Sequence, residues 1–202
     1  MAVSIFHHPS TSNLTVIAGY ESGHTAVSQL SALGWQTVYT SQPHTQPILS
    51  LDVSPSKDFY LTSSADAIIA KHPISSSPEH TILSPESLPL KTVQTGHSGQ
   101  QGLRVRSDGK IFATAGWDAR VRVYAAKGMK ELAVLKWHKE GCYSVAFADV
   151  ASNEPEDEGS EGAVVKKMGA MTVKEERIWK AKTTHWLAAG SKDGKVSLWD
   201  IY

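Results

Sequence analysis

The chain has 202 residues, 41% of them hydrophobic and 20% charged, the composition of a folded globular protein with room for a core. Its 20 basic side chains balance 20 acidic ones, so it lacks the basic excess that general nucleic-acid binders and polybasic membrane-surface proteins use. Cys142 is the single cysteine, which excludes an intramolecular disulfide and a cysteine zinc cage, and no run approaches the ~18 apolar residues of a spanning helix. The first residues lack the charged-then-apolar pattern of a secretory signal. The expectation is a soluble intracellular chain, with protein partners and no direct contact with nucleic acid or membrane.

From the N-terminus, Val3 to His7 has the length of one short strand. His7-His8 reads as an exposed pair whose rings point to opposite faces, the wrong arrangement for a shared metal. Four segments then repeat one pattern: VIAGYESGHTAVSQL, YLTSSADAIIAKHPI, FATAGWDARVRVYAA and LAAGSKDGKVSLWDI. Each joins an apolar run, small residues, a polar turn and a second alternating run, as a tightly turned β-hairpin does. The turn anchors are Ser22, Asp66, Asp118 and Asp193, spaced by 44, 52 and 75 residues. A propeller blade of four strands repeats every ~40–45 residues, and the first spacing matches it.

The longer spacings contain loop-like excess. Residues 74–89 (ISSSPEHTILSPESLP) are rich in Ser and Pro. Residues 150–182 begin with an acidic run (Glu154, Glu156, Asp157, Glu158, Glu161) and turn Lys-rich; removing about 32 of them returns the spacing to about 43. His44, His97 and His138 each precede an alternating strand, with His44 to Asp66 spanning 22 residues and His97 to Asp118 spanning 21. The reading is an all-β chain, a single propeller domain over 1–202. It has about four blades of four antiparallel strands, in units of 1–42, 43–95, 96–137 and 138–202. Either the N-terminal strand closes these blades into a small ring, or they are part of a larger, seven-bladed propeller; the second is expected. Blades at an open end would leave apolar faces uncovered.

Gly96-His97 before a strand, Gly116-Trp117-Asp118 at a turn and the closing Asp193-Gly194-Lys195-Val196-Ser197-Leu198-Trp199-Asp200 resemble the WD-repeat superfamily. That resemblance implies a structural tetrad in each blade: a His, a turn Asp, a strand Ser or Thr and a Trp. Carried over, it implies His44 and Asp66; His97, Thr114 and Asp118 with Tyr124 in the Trp position; and His138, Asp193 and Trp199. The first unit departs, with Ser22 for the Asp and Ser28 for the Trp. More narrowly, AGYESGHTAV, HSGQQGLRVRSDGKIFATAGWDARVRVY and KWHKEGCYSVAF are similar to the fungal ASTRA-associated WD-repeat family. This resemblance implies a nuclear, also cytoplasmic, scaffold of a chromatin-remodelling assembly. Its partners would be kinase-like scaffold proteins, assembly chaperones and AAA+ helicases.

The recurring Ser, His and Asp invite a hydrolase reading, but a catalytic triad is needed once and this set returns in each blade. No G-x-S-x-G elbow is present, and Gly96, Gly99 and Gly102 lack the Gly-Lys-Ser/Thr and helix of a phosphate loop. The expectation is no catalytic residue, no cofactor and no metal. Candidate partner contacts are Trp117 and Arg120 at a hairpin tip, and Ile178 and Trp179 in VKEERIWKAK, which is expected to form one or two helical turns. Local packing for Trp117, and a solvated loop for the insertion, stand beside these readings. The alternative function is another WD-repeat adaptor, a ubiquitin-ligase substrate receptor or a G-protein-β-like signalling scaffold. Trp117-Asp118-Ala119-Arg120 loosely echoes a docking motif of that kind.

Overall fold

Apolar and polar side chains alternate along short runs broken by Gly, Asp and Ser, so neighbouring runs pair as hairpins with one face apolar. In the computed structural model, which describes residues 2–74, 87–150 and 172–201, these hairpins build four antiparallel sheets. The first contains, in order, β1 (Ala2–His7), β2 (Leu14–Gly19), β3 (Thr25–Ser31) and β4 (Gly34–Ser41). The second contains β5 (Ile48–Val53), β6 (Phe59–Ser64), β7 (Ile68–Pro73) and β8 (Lys91–Gln94). The third contains β9 (Gln100–Val105), β10 (Ile111–Gly116), β11 (Val121–Ala125) and β12 (Glu131–Leu135). The fourth has β13 (Cys142–Phe147), β14 (Trp186–Ser191) and β15 (Val196–Asp200). These are the blades of a β-propeller array. Strands β1, β5, β9 and β13 are the inner neighbours of successive blades.

The N-terminal strand belongs to the first blade. β1 pairs with β2 from Ala2 opposite Gly19 to His7 opposite Leu14, and it does not complete the fourth sheet. His8 is buried, not exposed: it is 2% accessible, and its Nδ1 accepts from the Ser10 N–H at 3.3 Å.

Three apolar cores lie between consecutive blades. Ile17, Val27 and Tyr39 meet Leu51, Val53 and Tyr60 between the first two. Phe59, Leu61 and Ile69 meet Leu103, Phe112 and Tyr124 between the second and third. Val121 and Val123 meet Val145, Leu187 and Ala189 between the third and fourth. Each large side chain so buried contributes ~1.5–3 kcal/mol. Strands β6 and β10, covered on both sides, are buried at every position, whereas β2 and β14 alternate. The end blades accordingly leave Val3 and Ile5, and Val196 and Leu198, exposed.

The turn after each second strand repeats in detail. The residue following each anchor has a left-handed backbone: Gly23 (φ 82°), Ala67 (67°), Ala119 (63°) and Gly194 (77°). The helix α1 (Val173–Thr183) lies in the β13–β14 connection, opened by a capping box between Thr172 and Glu175. It exceeds the expected one or two turns. The acidic run at 154–161 and most of the Ser/Pro-rich segment lie outside the described residues.

Candidate functional site

The polar groups of the second blade form one continuous chain. The Asp66 carboxylate accepts from the Thr45 N–H at 2.9 Å, the Ile68 N–H at 3.0 Å and His44 Nδ1 at 3.2 Å. Burial lowers the His44 pKa against the opposing pull of Asp66, so the ring is neutral and Nε2 accepts from the Thr62 hydroxyl at 2.8 Å. Thr62 Oγ1 accepts in turn from His72 Nε2 at 3.0 Å, which leaves His72 Nδ1 to accept from the Tyr39 hydroxyl at 3.0 Å. Burial pushes His72 down to about 3, and a proton taken up by His44 works in the same direction. Tyr60 stacks on His72 at 4.6 Å and bonds Thr25 at 3.1 Å, tying the chain to the first blade. His72 stands six residues after Asp66, where Tyr124 and Trp199 stand after their own Asp. It fills the Trp position.

The third blade is wired differently. Arg122, four residues after Asp118, is 3% exposed and clamps that carboxylate from Nη1 at 3.1 Å and Nη2 at 2.6 Å. Burial works to raise the Asp118 carboxyl, but the hydrogen bond and charge of Arg122 prevail and hold it below its ordinary range. His97, the implied partner, lies 3.7 Å away with its side chain 44% exposed. The hydroxyls of Thr114 and Tyr124 are buried and join no hydrogen bond of standard geometry among the described residues, and burial pushes the Tyr124 phenol up to about 12. The implied tetrad is therefore replaced here by an ion pair. In the second blade the position of Arg122 is occupied by Ala70, which leaves Asp66 to His44.

The fourth blade departs again. The strand hydroxyl has crossed to the opposite strand: Ala189 stands where Thr62 and Thr114 stand, and its register partner is Ser197. Ser197 Oγ lies 2.8 Å from His138 Nε2 and accepts from Trp199 Nε1 at 2.9 Å. Asp193, expected to join His138, instead pairs with Lys195 Nζ at 2.5 Å. The hydrogen bond from Lys195 holds its carboxyl down to about 2. In the first blade Ser22 accepts from or donates to His24 Nδ1 at 3.0 Å, and Ser28 bonds Thr37 at 3.2 Å, so no tetrad forms.

Spacing from the turn Asp carries the signal for the residues that motif reading missed. Thr62, His72 and Ser197 fall four before, six after and four after their anchors, and the diverting bases Arg122 and Lys195 fall four and two after. Of the candidate contacts, Trp117 is 46% exposed and donates from Nε1 to Gln101 at 3.0 Å. Its ring lies against Gly99, where a Cβ would come within 2.0 Å of it, so local packing accounts for one side of the indole. Arg120 shares that turn and lines a pocket with His97, Asp118 and Arg122. Ile178 and Trp179 sit half exposed on α1. The turn follows a second strand and the helix follows a first, so the topology places these pairs on opposite faces. Among the described residues no cluster of three or more His, Cys, Asp or Glu could hold a metal.

Antiparallel blades of three or four strands joined through apolar cores, with a His–Asp–hydroxyl network at the turn of the second, mark the WD-repeat class of β-propellers. The chain belongs to it, matching the WD domain, G-beta repeat, over residues 35–70, 88–125 and 178–200. Its whole length aligns with the "ASTRA-associated protein 1" of Verticillium alfalfae, 52% identical and covering 50% of that protein. It aligns likewise with that of Aspergillus niger, 48% identical and covering 53%. The Schizosaccharomyces pombe protein of the same name is 36% identical over 92% of this chain. The chain spans about half the length of these curated relatives. Among solved structures, the computationally designed Ika4 protein superposes with a TM-score of 0.63 at 14% identity, a likeness of fold alone.

Proposed function

We propose that this chain is a non-enzymatic interaction scaffold of an ASTRA-type multi-protein complex. The setting is the nucleus, in chromatin remodelling and the assembly of kinase-like scaffold proteins, with assembly chaperones and AAA+ helicases as further partners. The observation that carries this reading is the alignment of the whole chain, at 52% identity, with a protein named for its association with ASTRA. The chemistry of the blades supports it. His44, Thr62, Asp66 and His72 are committed to one another, and a nucleophile locked in such a chain serves the fold.

Affinity purification of the tagged chain from nuclear extract, with mass spectrometry of the co-purifying proteins, tests the proposal. Recovery of the kinase-like scaffold together with chaperones and AAA+ helicases is the expected result. Recovery of a ubiquitin ligase instead, or of general folding chaperones alone, overturns it.

A further inference from the structure

The fourth blade contains a pocket of about 280 Å³ lined by Trp137, His138, Lys139, Asp193 and Lys195. Its chemistry follows from the hydrogen bonds behind it. The Trp199 indole N–H can only donate, so it uses a lone pair of Ser197 Oγ at 2.9 Å. By the parallel with Thr62 and His44 Nε2 in the second blade, the Ser197 hydroxyl is assigned as the donor to His138 Nε2, 2.8 Å away. The imidazole proton is thereby placed on Nδ1, and Nδ1 is buried with no partner among the described residues. In the second blade the same atom of the equivalent histidine, His44 Nδ1, meets the Asp66 carboxylate at 3.2 and 3.3 Å. The molecule itself thus displays the acceptor that suits this position.

The fourth blade's own carboxylate does not supply that acceptor, because Lys195 draws Asp193 away at 2.5 Å. In the second blade the residue two after the Asp is Ile68, which exerts no such pull. Around the unsatisfied donor stand two lysines, Lys139 and Lys195, against one acid. Trp137 is 54% exposed and stands edge-on to the His138 ring at 4.9 Å, a wall that can turn outward.

The geometry points to a pocket for a carboxylate side chain carried by an acidic segment of a partner protein. The carboxylate accepts the His138 Nδ1 proton, its charge is met by Lys139, and its methylene stem lies on Trp137. The volume suits one side chain, and the His44–Asp66 pair favours a planar carboxylate over a tetrahedral phosphate. The inference rests on the scaffold reading for the kind of partner, and on this pocket alone for the chemistry.

The test titrates the full ¹⁵N-labelled chain with the peptide Ac-Gly-Glu-Glu-Glu-Gly-NH₂, its Gln counterpart and a phosphoserine counterpart. Imidazole ¹H–¹⁵N correlation spectra report on each histidine separately. The Glu peptide is expected to shift His138 Nδ1 saturably and leave His44 unmoved, while the Gln peptide does nothing. Lys139→Ala weakens binding about tenfold, the loss of one charged contact. Lys195→Met abolishes it, because Asp193 is released to occupy His138, and Asp193→Asn tightens it. An unmoved His138 at saturation, equal binding of the Gln peptide, wild-type affinity in both lysine variants, or a tenfold preference for phosphoserine each overturns the inference. Recovery of the complex by a chain that ignores the Glu peptide sinks this inference and leaves the scaffold reading intact; peptide binding without the complex does the reverse.

Discussion

Replacing Asp66 by Ala tests whether the polar chain of the second blade holds the fold. The Asp66 side chain is 5% exposed, and that of His44 is fully buried beside it. The substitution removes a charge-assisted hydrogen bond, worth ~1.5–3 kcal/mol, and leaves a buried His44 N–H without an acceptor, which costs a further ~1–3 kcal/mol. Thr45 is exposed and Ile68 half-buried, so their N–H groups can turn to water and add less. The two contributions sum to ~2.5–6 kcal/mol, a range centred on the ~3–5 kcal/mol typical of breaking a buried charged pair. In a domain of this size that lowers Tm by ~6–20 °C. Differential scanning calorimetry at pH 7 measures it, with Asp193→Ala as the companion. Asp193 is exposed and forms its ion pair with Lys195 rather than with His138, so the companion is expected to melt within ~2 °C of the parent. Equal drops in the two variants, or an Asp66→Ala chain that melts like the parent, would refute the claim that only the second blade has a buried Asp–His anchor.

Acid destabilises the chain through its buried histidines before its carboxylates titrate. Burial keeps His44 and His72 below the ordinary 6.5, His72 down to about 3, while the unfolded chain takes up those protons near 6.5. The contribution of His72 is fully present above that value and is lost as pH falls from there towards about 3, at ~1.4 kcal/mol per pH unit, and His44 contributes in the same direction. The low-lying carboxyls Asp58, Asp108 and Asp118 act only below their ordinary 3.8. Urea midpoints between pH 7 and 5 give the slope, and His72→Phe should reduce it; an unchanged slope argues against the assignment. Ala67→Gly, at φ 67° and only partly buried, should stabilise by ~0.5–1 kcal/mol, since glycine removes left-handed strain at a modest entropic cost; a lower Tm contradicts this. Gly99→Ala drives a Cβ into the Trp117 ring and also places Ala at φ 69°, so it should destabilise by ~2–5 kcal/mol; the ~1–3 kcal/mol of overpacking is recovered in the Trp117→Ala background and the ~1–2 kcal/mol of left-handed strain is not. Additive losses in that double-mutant cycle would show that the ring is not the obstacle.

The repeat was legible because it is a local property. Hairpin alternation, the Asp or Ser of each turn and a spacing of 44 residues between the first two anchors are all written in single segments. They carry the number of blades, their antiparallel strands and the place of the His before each inner strand. The half-exposed Ile178 and Trp179 were equally visible, because a short charged stretch with two apolar residues has no apolar neighbour in sequence to cover them.

What each turn Asp does was decided only in three dimensions. Asp66, Asp118 and Asp193 look alike in sequence, yet they hold His44, Arg122 and Lys195 respectively. A carboxylate goes to the donor that reaches it first. A base two or four residues along the same hairpin arrives across the turn, while the histidine arrives from a separate loop. Thr62 and Ser197 occupy opposite strands of their hairpins, yet each bonds its blade's histidine through the same hydroxyl chemistry, so the tertiary approach of His44 or His138 selects the strand. The assignment of β1 to the first blade has the same origin. Its alternation fits any sheet edge, and only the register from Ala2 opposite Gly19 to His7 opposite Leu14 chooses one. Hairpin pattern and period therefore determine a β-propeller array, and the packing of side chains across its turns determines which blade is anchored and which leaves a donor open.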